Sequence, residues 1–246
     1  MAVIWIVILL LTSVCSALGQ SPLAKRSFDD ATRAAVEGNF EKALKGYQAA
    51  AMSSPDEGEF AAKLRYNLGV CYYRTGQLRP AVKEFNAAIR VSGGQHQRAY
   101  YARGMAESAL EAYPDARTSF LRAIELNPKD GEAWFDLAFV YLAEHDYESA
   151  SAAFRKAIDN KSVDSALGHN NLGVISAMRH EFAEAERAFQ TAVDLSGGNL
   201  VMATSNLEFC RSLKRGNREL AAGNELKFIG RELGHKDVAT RPAKGI

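Results

Sequence analysis

The sequence predicts an all-α fold made of stacked helical hairpins, and three observations carry that prediction. Ala43, Ala81, Ala116, Ala150 and Ala185 recur at intervals of 38, 35, 34 and 35 residues. Each is followed four residues later by a ring, at Tyr47, Phe85, Phe120, Phe154 and Phe189, and seven residues later by Ala50, Ala88, Ala123, Ala157 and Ala192. The apolar positions of every periodic segment are spaced by three and four, as one face of a helix requires. Small residues let two helices approach closely, and the ring fills the space between one hairpin and the next. Five matches at three coupled positions make this a repeat protein with a period near 35 residues.

Taken in order, residues 1–19 stand apart from the repeats. Met1–Leu11, MAVIWIVILLL, is a continuous apolar run, and TSVCSALGQ follows with small and weakly polar residues. That order suits a secretory signal, with Ala17-Leu18-Gly19 as the cleavage site. The alternative is an uncleaved membrane anchor, since Ala2–Gly19 is just long enough to span a thinned bilayer and Lys25 and Arg26 follow it. A lipid-modified Cys15 is a third reading, against which stand Val14 and Thr12 in the positions where small residues and leucine are usual. Residues 20–26 read as a linker, and the repeat domain is expected over 27–234, with a flexible tail at 235–246.

The first repeat starts near Ser27 and is the most divergent, as an end repeat should be, with Ala31 as its small residue. Repeat two reads YNLGVCYYRTG, and repeat three keeps Tyr100 and Gly104 but has Arg103 and Glu107 at otherwise apolar positions. Repeat four carries Trp134, Leu137, Ala138 and Tyr141, and repeat five reads NNLGVISAMRH. Gly38-Asn39 and Gly76-Gln77 break between helices, Asp146 caps a helix, and Pro80 and Pro114 sit in first turns where a missing N–H costs nothing. Ser92-Gly93-Gly94 and Ser196-Gly197-Gly198 recur at one repeat position and read as left-handed helix C-caps rather than phosphate loops. Beyond Asn199, SNLEFCRSLKRGN supplies the first helix of an incomplete sixth unit, and Arg218–Leu233 reads as an amphipathic capping helix through Ala222, Leu226, Ile229 and Leu233.

Composition and motifs restrict the chemistry. The chain is 47% hydrophobic and 24% charged with a formal charge of +1, so no field of one sign gathers nucleic acid or anionic lipid. No HExxH, CxxC, GxSxG or GxxxxGK[ST] occurs. His145 and His180 occupy equivalent turns in adjacent repeats, about 8–10 Å apart by helix packing, too far for ligands each roughly 2.1 Å from one zinc. Cys71 and Cys210 share one repeat slot, four repeats apart, and read as packing residues with no internal disulfide. No cofactor, metal site or catalytic residue is expected.

On these residues the chain resembles the tetratricopeptide repeat family over about Ala24 to Leu233. Trp134, Leu137, Ala138 and Tyr141 stand at the family's W-x2-L-G-x2-Y spacing, and Ala150 and Phe154 follow as A-x3-F. The resemblance implies a right-handed superhelix of antiparallel helix pairs, an α-solenoid whose first helices line a concave groove that binds peptides or partner helices. On this chain the groove positions are Tyr66, Asn67, Val70 and Tyr73 in repeat two, Arg98, Tyr101 and Met105 in repeat three, Phe135 and Phe139 in repeat four, and Asn170, Val174 and Met178 in repeat five. So apolar a surface needs a cover. The chain's own Arg218–Leu233 helix, folded back, is one candidate. Family members that clamp a peptide carboxylate use Lys and Asn where this chain has Phe28 and Thr32, so no such clamp is expected. Asn67, Asn171 and Asn206 share one repeat position and are suited to bonding a peptide backbone.

The functional expectation is a non-enzymatic scaffold that binds a protein or peptide segment, exported or anchored on the outer side of a bacterial cytoplasmic membrane, in an envelope assembly. A self-associating module is the alternative class. Nucleic acid is not an expected partner.

Overall fold

The computed structural model describes residues 21–161, 164–215, 226–230 and 240–242, the last without side chains. Among the described residues it contains eleven α-helices. They are α1 (Pro22–Val36), α2 (Phe40–Met52), α3 (Gly58–Arg74), α4 (Leu78–Val91), α5 (Gln97–Ala109), α6 (Tyr113–Leu126), α7 (Gly131–Ala143), α8 (Tyr147–Asp159), α9 (Ser165–Met178), α10 (Phe182–Leu195) and α11 (Val201–Lys214). The chain divides into two compact units, one ending at Asp115 and one starting at Ala116, with the boundary inside α6. None of these helices is long and apolar enough to cross a membrane. Residues 1–19, read as a signal or anchor, lie outside the described residues.

The periodic positions form the core. All five first alanines and all five second alanines are fully buried, and the five rings between them are at most 2% exposed. In the first unit α1 pairs with α2 and α3 with α4; in the second α7 pairs with α8 and α9 with α10. The glycine slot of a first helix faces the ring of its own second helix. A Cβ added at Gly173 would lie 2.7 Å from Phe189 Cδ1 and Cε1, and one at Gly69 would meet Phe85 just as closely. In the first hairpin the pairing is reversed: Gly46 lies against Ala31, where a Cβ would come 2.8 Å from the alanine methyl. Tyr47 differs from the phenylalanines in carrying a hydroxyl, and buried among Ala31, Ala34 and Leu68 it must find partners. Thr32 Oγ1 at 3.0 Å and Asn67 Nδ2 at 3.2 Å supply them.

Each hairpin turn uses one left-handed residue, at Gly38, Gly76, Glu111, His145 and His180, with φ between 60° and 80°. In all five that residue's N–H bonds the carbonyl three back, and the next N–H bonds the carbonyl five back; His145 to Leu142 and Asp146 to Tyr141 are one instance. This is the Schellman arrangement, which satisfies the orphan carbonyls of the ending helix. The same slot therefore explains both histidines singled out by position. The glycine pairs Gly93-Gly94 and Gly197-Gly198 adopt positive φ after α4 and α10, as read from sequence. Asn39, Asp130, Asp146 and Asp164 each accept a backbone N–H at 2.9–3.0 Å as N-caps.

Three expectations are corrected. The segment 20–26 is not a linker throughout, because α1 begins at Pro22 rather than near Ser27. Ser21 Oγ accepts from Ala24 N at 3.1 Å, Pro22 occupies the first turn, and Ala24 is fully buried. The capping helix over Arg218–Leu233 is replaced, where the chain is described, by the extended strand β1 (Lys227–Ile229). Within the region read as a tail, β2 (Thr240–Pro242) pairs antiparallel with β1, Phe228 opposite Arg241. Ala222 and Leu233 of the expected cap lie outside the described residues.

Candidate peptide-binding groove

The site in the second unit is built from three first helices and one extended segment. Helices α7, α9 and α11 follow one another at the repeat period, α7 and α9 each as the first helix of a hairpin and α11 as the helix after α10. Their groove positions carry Phe135 and Phe139 on α7, Asn170, Asn171 and Val174 on α9, and Asn206 on α11, while Leu207 and Cys210 on α11 take the repeat positions of the core residues Leu172 and Ile175. Glu186 on α10 braces α11, accepting from Arg211 Nε at 2.9 Å and Lys214 Nζ at 2.8 Å. Lys214 and then Arg211 hold that carboxyl below the usual range.

Into this face runs Leu226–Ile229, fully extended. Asn206 donates from Nδ2 to Lys227 O at 2.9 Å and accepts at Oδ1 from Lys227 N at 3.0 Å. Asn171 repeats the pattern one hairpin earlier, donating to Ile229 O at 2.9 Å and accepting from Ile229 N at 2.7 Å. Each side-chain amide thus acts as a neighbouring strand would, closing a pair of bonds with one residue, and it does so at alternate residues because an extended chain turns N–H and C=O to the same edge every second residue. Asn170 ties the two together. It accepts from Asn206 Nδ2 at 2.7 Å, and its own Nδ2 donates to Lys227 O and to Asn171 Oδ1, both at 3.2 Å. All three asparagines are at most 1% exposed. Buried amides of this kind need every bond they can make, and the extended segment supplies them.

The side chains complete the seal. Leu226, Phe228 and Ile229 are buried while Lys227 is exposed. Phe228 sets its ring edge-on to Phe139 at 6.5 Å, and Phe139 in turn meets Phe135 at 5.4 Å and Phe154 at 5.5 Å. Leu226 and Phe228 belong to the same apolar cluster as Val174, Leu207 and Cys210. Burial pushes the Cys210 thiol up to about 11, and its Sγ donates to Phe182 O at 3.6 Å, which marks it as a packing residue rather than a nucleophile. Cys71 is likewise pushed up to about 11 by burial.

The groove positions read from sequence therefore divide. In the second unit Phe135, Phe139, Asn170 and Val174 are buried beneath Leu226–Ile229 or in the hairpin core, and Met178 is partly buried at its edge. The cover is the chain's own C-terminal segment, as an extended strand and not the helix expected. In the first unit Tyr66, Val70 and Tyr73 are partly buried against the Ala81 and Phe85 cluster, with Tyr66 stacked on His96 at 5.1 Å. Tyr101 and Met105 are partly buried, Arg98 is exposed, and Asn67 bonds Tyr47 rather than a backbone. The shared position of Asn67, Asn171 and Asn206 signalled the ladder in the sequence. Phe228 and Ile229 as its occupants were missed, because Leu226 and Ile229 also fit a helical spacing.

Elsewhere in the second unit a cleft of about 420 Å³ between α8, α9 and α10 is lined by Arg155, His169, Arg179 and Arg187 among others. Arg179 pairs with Glu181 at 3.0 Å and Arg187 with Glu184 at 2.9 Å, which compensates two of its charges. Among the described residues no group of three or more His, Cys, Asp or Glu side chains is placed to hold a metal ion.

The tetratricopeptide repeat family model matches residues 17–96, 66–131, 101–164 and 135–199, which together span most of the chain. The protein belongs to the tetratricopeptide repeat family. Among curated proteins it is 28% identical over 138 residues to a TPR repeat-containing protein of Schizosaccharomyces pombe, covering 55% of this chain and 17% of that one. It is 31% identical over 100 residues to anaphase-promoting complex subunit 3 of the same yeast, covering 41% of this chain and 15% of that one. The chain thus spans less than a fifth of the length of these relatives. Among solved structures, MamA from Desulfovibrio magneticus shares the fold with a TM-score of 0.67 at 20% identity, over 74% of this chain and 99% of that one. YrrB, described as a TPR protein with an unusual peptide-binding site, has a TM-score of 0.61 at 24% identity over 72% of this chain and 88% of that one. These likenesses establish the all-α helical-repeat fold.

Proposed function

We propose that the protein is a non-enzymatic scaffold that holds an extended protein or peptide segment in the groove of α7, α9 and α11, within an assembly of the cell envelope. The observation that carries the binding mode is the pair of buried asparagines, Asn171 and Asn206, each closing two bonds with the backbone of a segment that crosses them. Main-chain recognition of this sort is how an extended peptide adds to a sheet edge, with affinity from backbone bonds and selectivity from alternate side chains. The fold is one in which another member, YrrB, is described as having a peptide-binding site. The envelope assignment rests on the apolar run Met1–Leu11 and the small residues after it, which suit export or, uncut, anchoring.

The test is a photoreactive side chain at Met178, on the edge of the groove, in the full chain produced in its native cell, with the same group at the exposed Arg187 as control. A defined protein crosslinked from Met178 and not from Arg187 supports the scaffold reading, and identical adducts from both positions overturn it. For the location, fractionation with N-terminal sequencing decides. A product beginning at Leu18 or Gln20 supports cleavage, and an intact Met1 in the membrane fraction supports the anchor. A full-length cytosolic product overturns both.

A further inference from the structure

We infer that the groove selects an extended segment with the pattern apolar, any, aromatic, apolar, and that the chain's own Leu226-Lys227-Phe228-Ile229 is an internal competitor for it. This rests on the scaffold reading above and names its ligand class. The backbone bonds to Asn171 and Asn206 are indifferent to side chains, so any extended segment can make them. Selectivity must come from what the side chains meet. The residue at Lys227 projects into solvent, which leaves that position unconstrained, whereas its three neighbours are 1%, 5% and 2% exposed. The Phe228 position ends edge-on to Phe139, a geometry that favours a ring over an aliphatic side chain. The Leu226 position packs in the cluster of Val174, Leu207 and Cys210.

The occupant is covalently joined to α11, so it competes at an effective concentration in the millimolar range that a tether of this kind supplies. A partner segment of the same pattern must displace it, and its apparent affinity falls by the fraction of time the groove stands open. Removing the internal segment's ability to dock should therefore raise affinity for a free peptide without touching the groove.

The experiment uses the full chain and a fluorescent peptide with the sequence of residues 224–231, NELKFIGR, read by anisotropy. Two release variants are compared with the wild type. Lys227→Pro removes the N–H that Asn206 Oδ1 accepts, and Phe228→Ser with Ile229→Ser removes the buried side chains. Circular dichroism checks that each stays helical, and if one does not, the other decides. At least tenfold tighter binding to a release variant than to the wild type is expected, lost again when the peptide carries Ser for its Phe or when Asn206→Ala is added. A helical release variant that binds NELKFIGR no better than the Ser-substituted peptide overturns the inference. If that variant still crosslinks a partner from Met178, the ligand class is wrong and the scaffold reading stands. If it crosslinks nothing, both fall.

Discussion

Asn67 and Asn206 occupy the same repeat position with different partners, and replacing each by alanine weighs the ladder directly. Asn206 makes three bonds, two to the backbone of Lys227 and one to Asn170 Oδ1, in a site where it is 1% exposed. After Asn206→Ala, Lys227 O keeps its bond from Asn170, but Lys227 N loses its Asn206 acceptor in a partly buried position. At about 1 kcal/mol net for each of the three neutral bonds, with a further cost for the stranded Lys227 N–H and Asn170 Oδ1, the loss is about 3–4 kcal/mol. Undocking of Leu226–Ile229 sets a ceiling on that loss, because beyond it the segment leaves and water satisfies the asparagines. Asn67 makes one bond, to Tyr47 Oη, and Tyr47 retains Thr32. Asn67→Ala should cost about 0.5–1 kcal/mol. Urea denaturation of the two variants at unchanged m-value gives the comparison, and hydrogen exchange at the Lys227 amide should accelerate only in Asn206→Ala. Equal midpoints for the two variants, or an Asn206→Ala chain within about 0.5 kcal/mol of wild type, would refute the energetic role given to the ladder, since even one net neutral bond contributes about that much.

Gly173→Ala should destabilise by up to about 2 kcal/mol: the helix gains about 1 kcal/mol in propensity, but the new methyl would sit 2.7 Å from the buried Phe189 ring, and overpacking costs about 1–3 kcal/mol. A raised melting temperature would show that the ring has room to move. His145→Gly should stabilise by about 0.5–1 kcal/mol, because it relieves a left-handed backbone at φ 62° and gives back part of the gain as chain entropy; the thermal midpoint is the readout. His96 caps α5 by accepting Ala99 N at Nδ1, and burial, with Arg98 nearby, holds it below its ordinary value. The folded state then prefers neutral imidazole, so its contribution is present above the unfolded value near about 6.5 and is lost as pH falls from there through the folded value. His96→Asn keeps a cap and removes the titration, so the drop in melting temperature between pH 7 and pH 5 should be smaller than in wild type, with His169, also lowered by burial, contributing to both.

The repeats were legible because one physical requirement recurs: alanine where two helices touch, and a ring on the second helix that fills the space over the small residue of the first. Those positions carry no alternative meaning, and every one is buried. Helix starts were legible where a capping side chain stood before an apolar turn, as at Asp146; Ser21-Pro22 carried the same signal for α1 and was outweighed by its position before a divergent repeat. The groove's positions were legible and its occupant was not. Leu226 and Ile229 are three apart, which matches a helix, and that spacing outweighed the helix-weakening Gly223 and Gly230 on either side. What holds it extended is the pairing with β2 on one edge and, on the other, the amides on α9 and α11, up to 58 residues away in sequence, farther than any local pattern reaches. The Asn67, Asn171 and Asn206 coincidence was the one trace of it.

The three amides in the groove also decide which way a segment can run. An asparagine whose oxygen meets an N–H and whose nitrogen meets a C=O of one residue matches a single chain direction, and a segment entering the other way requires the amide to turn over. Here Asn206 donates to Asn170, and Asn170 donates to Asn171. Turning any one alone sets oxygen against oxygen or nitrogen against nitrogen in a buried site, so the three turn together or not at all. The groove as it stands is consequently set for one chain direction, the one in which Leu226–Ile229 runs.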